Sequence, residues 1–225
     1  MLHDFHTHTF LSDGALSPIE LIRRAAVAGY TSIALTDHVG RGSMARVIAE
    51  LKADCALAEA HWRLRALAGV ELTHVPAAAI GDLAAEARAL GAEIVVVHGE
   101  SPVEPVEPGT NRAAVSCPLV DILAHPGCLS AEEAELAAAN GVFLEITARG
   151  GHNVSNGLVV AAGRAAGARF LVNSDAHEPG DLLTTAWAKT VALGAGLSAE
   201  EAEECLVRAP LLLMARVEQT GKITI

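Results

Sequence analysis

Aromatic side chains are scarce in this 225-residue chain, where phenylalanine, tryptophan and tyrosine together make up only 3% of residues. Hydrophobic residues nevertheless account for 51%. A core with few aromatics must be built from alanine, valine, leucine and isoleucine, the composition of helices packed on a buried parallel sheet. The length fits one large α/β domain, and no linker divides the chain. We therefore expect a single domain over residues 1–225.

Basic clusters, paired cysteines and long apolar segments are also missing. The net charge is -11 and no run of lysine and arginine stands out, so we expect no nucleic-acid partner. The four cysteines lack any Cys-x-x-Cys spacing and are interpreted as reduced thiols. No signal peptide or membrane span is recognisable, so we expect a cytoplasmic protein that does not bind membranes. The sequence leaves the oligomeric state open.

Short apolar runs alternate with longer amphipathic segments along the chain. Seven apolar runs are predicted strands, at about residues 2–6, 31–38, 64–71, 93–98, 120–125, 142–147 and 169–175. Predicted helices cover about residues 17–29, 43–62, 76–90, 110–116, 130–141, 155–166, 180–194 and 199–216. Helices that end in glycine and lead directly into an apolar run indicate repeated strand-helix units and a parallel sheet. Seven such strands favour a closed or nearly closed barrel, with a doubly wound open sheet as the competing architecture.

Potential metal ligands stand at the end of every predicted strand. These residues are His6, His8, Asp37, His38, Glu71, His98, His125, Glu145, Asp175 and His177. His6 and His8 point the same way in an extended backbone because they are two residues apart. In a barrel the carboxyl ends of all strands surround one rim, where active sites form. Imidazole and carboxylate ligands suit Zn, Mn or Fe, and this many exceed the needs of one ion.

Six short motifs, in this order and spacing, resemble those of the PHP family, the polymerase and histidinol phosphatase superfamily. They are His6-Thr-His8 with Ser12-Asp13-Gly14, Thr36-Asp37-His38, Gly69-Val70-Glu71, His98, His125-Pro126, and Ser174-Asp175-Ala176-His177. The resemblance runs from residue 3 to residue 178, and it is to small stand-alone members of the histidinol phosphatase type. It implies a fold of the α/β class, a distorted (β/α)7 TIM-like barrel.

The resemblance also implies a trinuclear metal site, with two to three divalent ions drawn from Zn, Mn or Fe. By position, the first ion would be held by His6, His8, Glu71 and Asp175. The second would be held by Glu71, His98 and His125, so that Glu71 bridges the two. The third would be held by Asp13, His38 and His177. Asp13 occupies a position where some relatives carry histidine.

A site of this kind favours hydrolysis of a phosphomonoester, because neighbouring ions lower the pKa of water to about 7 and bind the reacting oxygens. We expect a metal-dependent phosphoesterase acting on a small phosphorylated metabolite, with metal-bound hydroxide as the attacking group. Histidinol phosphate is a candidate that no residue selects. Asp13 and His177 are the predicted proton-handling residues. Arg149 is a predicted catalytic and substrate-binding residue, and Arg112 and His152 are further predicted substrate contacts, since phosphate needs such donors.

The remaining polar residues receive other interpretations. Asp37 is expected to support its neighbour His38 instead of binding metal, and Glu145 is either a carboxylate at the end of the core or a pocket wall. The other histidines are expected to be structural or on the surface, namely His3, His61 and His74. The loop over residues 99–118 holds four of the nine prolines, and loops of this length often carry function.

Two other functions are compatible with parts of the pattern. Amidohydrolase-like enzymes, which hydrolyse C–N bonds, also carry His-x-His after their first strand. They usually use a lysine that bridges the metals, and no lysine lies at a strand end here. A non-catalytic PHP module would be expected to have lost ligands, whereas all nine predicted ligand positions are filled.

Overall fold

The computed structural model describes residues 1–221, and parallel strands surrounded by helices form a nearly closed barrel in it. Around the barrel the strands follow the order β1 (His3–Asp4), β2 (Ser32–Leu35), β4 (Arg65–Leu72), β5 (Ile94–His98), β6 (Ile122–Ala124), β7 (Phe143–Thr147) and β8 (Phe170–Asn173). The short strand β3 (His38–Val39) pairs only with the outer half of β4. This sequential parallel order confirms the predicted barrel and shows that the open doubly wound sheet is wrong. Residues 222–225 of the predicted domain lie outside the described part.

The barrel closes through the segments that follow β1 and β8. Thr7 forms an isolated parallel bridge with Ala176. The amide of His8 donates to the carbonyl of Ala176 at 2.9 Å, and the amide of Asp175 donates to the carbonyl of His6 at 3.0 Å. The first and last predicted motifs are therefore joined by backbone hydrogen bonds.

Nine helices are described within residues 1–221. Their bounds are α1 (Pro18–Val27), α2 (Arg41–His61), α3 (Ile80–Leu90), α4 (Thr110–Val115), α5 (Ala131–Asn140), α6 (Asn156–Ala166), α7 (Thr185–Gly194), α8 (Ala199–Glu203) and α9 (Ala209–Gly221). Short 3₁₀ turns cover Ala77–Ala79, His152–Ser155 and Pro179–Asp181. A π turn at Glu204–Arg208 joins α8 to α9, where the sequence predicted one helix. Within this range no helix has both the length and the apolar character needed to span a membrane.

Capping residues define several of the helix ends. Ser130 and Ser198 form complete capping boxes with the glutamates three residues later. Gly91, Gly141 and Gly167 end their helices in the left-handed conformation, which glycine adopts without steric cost. Because each of these helices ends sharply, the next strand starts at once and reaches the same rim as its neighbours.

Two apolar layers stabilise the barrel. One lies between the sheet and the surrounding helices, and the other fills the barrel interior. The inner layer includes the α9 residues Ala209, Leu213 and Val217. Arg216 on the same helix donates to Asp121 Oδ1 at 2.7 Å, just before β6 begins, and to the carbonyl of Gly141 at 2.9 Å. Helix α9 therefore closes the amino-terminal end of the barrel, and the carboxyl end is left for the polar site.

Candidate metal centre at the carboxyl rim

The structure brings all nine predicted metal ligands together at the carboxyl ends of the strands. Their donor atoms form four overlapping groups, and within each group the atoms lie within 4.8 Å of one another. The groups are His6, His8 and Asp175; His6, Glu71 and His125; His98, His125 and His152; and His8, Asp13, His38 and His177. One group contains the three residues of the predicted third set together with His8. The residues of the predicted second set fall in two groups that share His125: His98 and His125 lie with His152, and Glu71 and His125 lie with His6.

Several of these buried polar atoms have no hydrogen-bond partner within the described residues. His6, His8 and Glu71 are buried, and within the described residues His6 Nε2, both ring nitrogens of His8 and Glu71 Oε1 accept or donate no hydrogen bond. An unsatisfied buried polar group costs about 1–3 kcal/mol, so several in one place need a common partner. Neutral imidazoles and carboxylates facing one point are the ligand set of a divalent transition metal. The residues present therefore fit bound metal ions.

Two nitrogen–oxygen distances in the centre equal the distance expected between two ligand atoms bound to the same ion. His8 Nε2 lies 3.2 Å from Asp175 Oδ1, and His6 Nε2 lies 3.3 Å from Glu71 Oε1. Two ligand atoms about 2.1 Å from an ion, at tetrahedral or octahedral angles, are about 3.0–3.4 Å apart. The side chains thus already have the spacing of a coordination sphere.

The surroundings shift the pKa values of these groups in both directions. Burial alone would lower the pKa of His6, but the adjacent carboxylates outweigh it and raise that pKa well above its usual value. Burial, assisted by neighbouring histidines, lowers the pKa of His8 and His125 well below the usual value, so both imidazoles are in the neutral form that binds metal. Burial alone would raise the pKa of Glu71, but two adjacent histidines outweigh it and hold that pKa well below its usual range. Burial raises the pKa of Asp175 to about 7.

Backbone strain coincides with two of the predicted ligands. His125 and Asp175 have positive φ angles of 28° and 53°, a region that side chains other than glycine rarely adopt. Such strain persists only where surrounding contacts hold the residue in place, and it concentrates at functional sites. The barrel closure next to Asp175 supplies such contacts.

Glu145 orients His6 from behind. Its Oε2 accepts from His6 Nδ1 at 2.8 Å and from the Asn173 amide at 2.9 Å. This contact turns Nε2 of His6 toward the metal groups and increases the basicity of the ring. Of the two predicted alternatives, the buried position of Glu145 fits a carboxylate at the end of the core, and its support of His6 was not predicted.

Asp37 has a different partner from the one predicted. Its carboxylate accepts from the amide of Thr9 at 2.8 Å and from the hydroxyl of Ser12 at 2.6 Å. His38 instead contacts Thr73, with its Nδ1 at 2.7 Å from the hydroxyl oxygen. The expectation that Asp37 supports His38 is wrong, because this carboxylate holds the loop that carries Asp13.

Removing the Glu145 carboxylate should weaken metal binding. We expect Glu145→Ala to reduce zinc affinity by about 10- to 100-fold, since His6 then loses the partner that fixes its ring. Glu145→Gln keeps an acceptor for His6 Nδ1 and should lose less. Zinc titration against a competing chelator measures both effects. Equal affinity in Glu145→Ala and the unaltered protein would show that His6 is oriented by other contacts.

The predicted substrate residues take three different positions. Arg149 lies beside the centre, with Nε 3.9 Å from Asp175 Oδ2, and lines a cavity of about 300 Å³ together with Trp187. His152 is buried in one of the metal-ligand groups. Arg112 pairs with Glu132 at 2.8 Å on the exposed surface, so the geometry lends no support to its prediction as a substrate contact.

Two residues at the rim were not predicted as functional. Glu104, in the loop between β5 and α4, and His74, expected to be structural or on the surface, line a second cavity of about 320 Å³ with Asp13, His38 and Thr73. The sequence signals for Glu104 are its position six residues after the histidine-ended strand β5 and its place in the proline-rich 99–118 loop. His74 has a φ angle of 52°, which no sequence pattern indicated.

The fold and the site define a parallel (β/α) barrel protein with clustered metal-ligand side chains at its carboxyl rim. The model of the PHP domain matches residues 4–174, and this chain belongs to the PHP domain family. The predicted family is thereby confirmed. The chain is 46% identical over 218 residues to the uncharacterized protein MJ1295 of Methanocaldococcus jannaschii, a match covering 96% of this chain and 100% of that protein.

Two solved structures share the fold. One is a chain of archaeal ribonuclease P with mature tRNA, at a TM-score of 0.69 and 15% identity, covering 98% of this chain and 92% of that chain. The other is histidinol phosphate phosphatase of Lactococcus lactis complexed with zinc, L-histidinol and phosphate. It has a TM-score of 0.55 and 13% identity, covering 88% of this chain and 94% of that chain. At these identities the likeness is one of fold.

Proposed function

We propose that this protein is a metal-dependent phosphoesterase that removes phosphate from a small phosphorylated metabolite. The observation that carries the proposal is that His6, His8 and His125 each belong to two ligand groups. Ions held by overlapping groups would be neighbours. Neighbouring ions suit phosphate ester hydrolysis because they contact the attacking and leaving oxygens together. Membership of the PHP family and the fold shared with a phosphatase that binds zinc and phosphate support the same activity.

The four groups would hold two to three divalent ions, which we propose to be Zn, Mn or Fe. When bound, these ions would supply Lewis acidity toward the phosphate and a nucleophilic water at neutral pH. The nine predicted ligands, with His152 as a tenth candidate, would hold them. Because the four ligand groups share His6, His8 and His125, an ion in one group uses a ligand of another group. We therefore propose fewer bound ions than ligand groups.

Arg149 is the proposed phosphate-binding side chain. Its side chain is 33% exposed and lies on the rim, where NH1 is 3.6 Å from Asp181 Oδ2. A guanidinium in this position binds two phosphate oxygens at once and fixes the orientation of the substrate. Asp181 Oδ2 itself accepts from the amides of His177 at 3.0 Å and Glu178 at 2.9 Å, so the carboxylate beside Arg149 is fixed in place.

Asp13 and His177 are the proposed proton-handling pair, with Asp13 Oδ1 3.2 Å from His177 Nε2. Burial alone would raise the pKa of Asp13, but hydrogen bonds from His177 and His38 outweigh it and hold the pKa far below its usual range. Burial alone would lower the pKa of His177, but the same contact with Asp13 raises it. His177 would be the proton donor of the two only where its Nε2 does not bind an ion.

The size and polarity of the rim favour a small substrate. The cavity of about 320 Å³ beside Asp13 and His38 is at the lower end of the range for small-molecule sites. A net charge of -11 disfavours a phosphate backbone of many charges, so we propose a metabolite rather than a nucleic acid as partner. Histidinol phosphate stays one candidate among such metabolites.

The C–N hydrolase alternative has less support in the geometry. It would use a lysine between the metals at a strand end, and in the described part of the chain Lys52 lies in α2 and Lys189 in α7. A purely structural role for the module would not require ten convergent ligand side chains, five of which carry buried polar atoms without a hydrogen-bond partner in the described residues.

The test is metal analysis and phosphate release on one preparation purified without chelator. We expect two to three ions per chain and release of inorganic phosphate from at least one member of a phosphomonoester panel that includes histidinol phosphate. A strong chelator should abolish the release, and added Zn or Mn should restore it. A full complement of metal with no release from any phosphomonoester would contradict the phosphoesterase assignment.

A further inference from the structure

Glu104 reaches three histidines from outside the predicted motifs. Its Oε2 lies 3.2 Å from Nε2 of His98 and 3.2 Å from Nε2 of His74. Its Oε1 lies 3.5 Å from Nε2 of His152. The distance to His98 is the same as that between His8 and Asp175, and it falls in the range of two ligands on one ion.

The loop over residues 99–109 is built to hold Glu104 in this place. Glu100 Oε1 accepts from the amides of Gly109 at 2.9 Å and Asn111 at 3.0 Å, which ties the two ends of the loop together. Glu107 Oε2 accepts from the amide of Ala77 at 2.8 Å and anchors the loop to the turn that precedes α3. Because these hydrogen bonds already order the loop backbone, little further backbone entropy is lost when Glu104 binds an ion.

The histidines that face Glu104 present the correct atoms for coordination. His98 Nδ1 donates to the carbonyl of Gly99 at 3.0 Å, so Nε2 is the atom left for a metal. His152 is only 6% exposed, its Nε2 faces Glu104 at 3.5 Å, and the other ring nitrogen, Nδ1, has no hydrogen-bond partner within the described residues. Together with His125 these rings form a group of three imidazoles. Glu104 lies outside that group and reaches His98 and His152 through its two different oxygens. A divalent ion in that group would benefit from an anionic ligand, which Glu104 can supply.

We propose that Glu104 is a metal ligand that completes an ion site with His98, His125 and His152, on the side of the centre facing the 99–109 loop. This proposal adds a ligand to the metal centre of the proposed function, and it rests on that function only because it requires a bound metal ion. Because Glu104 also lines the cavity of about 320 Å³, this ion would stand where a substrate enters. The ligand set of the second ion would then differ from the set inferred from the family motifs.

Metal affinity measured without any substrate tests this proposal. We would compare the unaltered protein, Glu104→Gln and the control Glu107→Gln by equilibrium dialysis with Zn²⁺ against a competing chelator. Glu107→Gln removes the same charge from the same loop but leaves the histidines untouched, and its amide oxygen can still accept from Ala77. We expect Glu104→Gln to weaken one metal equivalent by at least about tenfold, and Glu107→Gln to match the unaltered protein.

A second variant identifies which ion is affected. His152→Gln should weaken binding of the same metal ion. The double variant Glu104→Gln/His152→Gln should not weaken a second ion, because both side chains bind one ion. The absorption of Co²⁺-substituted protein should change in both single variants. Unchanged affinity for every equivalent in Glu104→Gln would overturn the inference. That result would leave the phosphoesterase proposal standing, whereas loss of the equivalent in a protein without phosphatase activity would support the ligand and contradict the activity.

Discussion

Glu71→Ala is expected to remove more than one bound metal ion per chain and to reduce phosphate release by at least about a hundredfold. The reason is its central position at the end of β4. One carboxylate oxygen lies 3.3 Å from His6 Nε2, and the other lies 3.7 Å from His8 Nε2 and 2.6 Å from His38 Nδ1. Even supporting residues behind a metal ligand change affinity by about 10- to 100-fold, so a carboxylate grouped with His6 and His125, which each belong to a second group, should matter more.

Two controls make this experiment interpretable. Glu71→Gln keeps the size of the side chain and removes only its charge, so it should lose metal nearly as completely as Glu71→Ala. Glu135→Ala removes an exposed carboxylate from α5 and should change neither metal content nor turnover. Far-ultraviolet circular dichroism checks that each variant is folded. A Glu71→Ala protein that retains its metals and its turnover would show that the centre is organised around other ligands.

Leu213→Ala is expected to destabilise the protein by about 2–5 kcal/mol, while Leu212→Ala should change stability by no more than about 0.5 kcal/mol. The two leucines are adjacent in α9 but differ completely in environment. Leu213 is 0% exposed and belongs to the layer that fills the barrel, whereas Leu212 is 48% exposed. Truncation of Leu213 leaves a cavity beneath the sheet, and truncation of Leu212 leaves none.

Denaturant unfolding followed by circular dichroism measures both free energies of unfolding. Similar slopes against denaturant in both variants would show that the difference arises in the folded state. Equal stability of the two variants would contradict the assignment of α9 as the closure of the barrel. Since α9 lies at the opposite end from the metal ligands, Leu213→Ala should retain its metal content under conditions where it is folded.

Much of the barrel follows from local pattern. Strand β5 and the helix ends at Gly91, Gly141 and Gly167 could be predicted because an apolar run and a glycine cap each involve only a few consecutive residues. The predicted strand at 31–38 was less accurate, since it divides into β2 and β3. The division occurs at Asp37, whose carboxylate accepts hydrogen bonds from a loop 25 residues or more earlier in the chain. No local signal carries that information.

The sequence by itself determined the order of strands and the ligand types at their ends, because parallel strands with uniform connections must deliver their carboxyl ends to one rim. Only the tertiary structure decided which side chains meet there. His6 and Glu145 are 139 positions apart in the sequence. Glu104 contacts His74, His98 and His152, which lie in three other segments of the chain. Such pairings depend on how the loops and helix α9 pack against the barrel. The hydrophobic periodicity of one segment does not specify which other segments lie next to it in the folded protein.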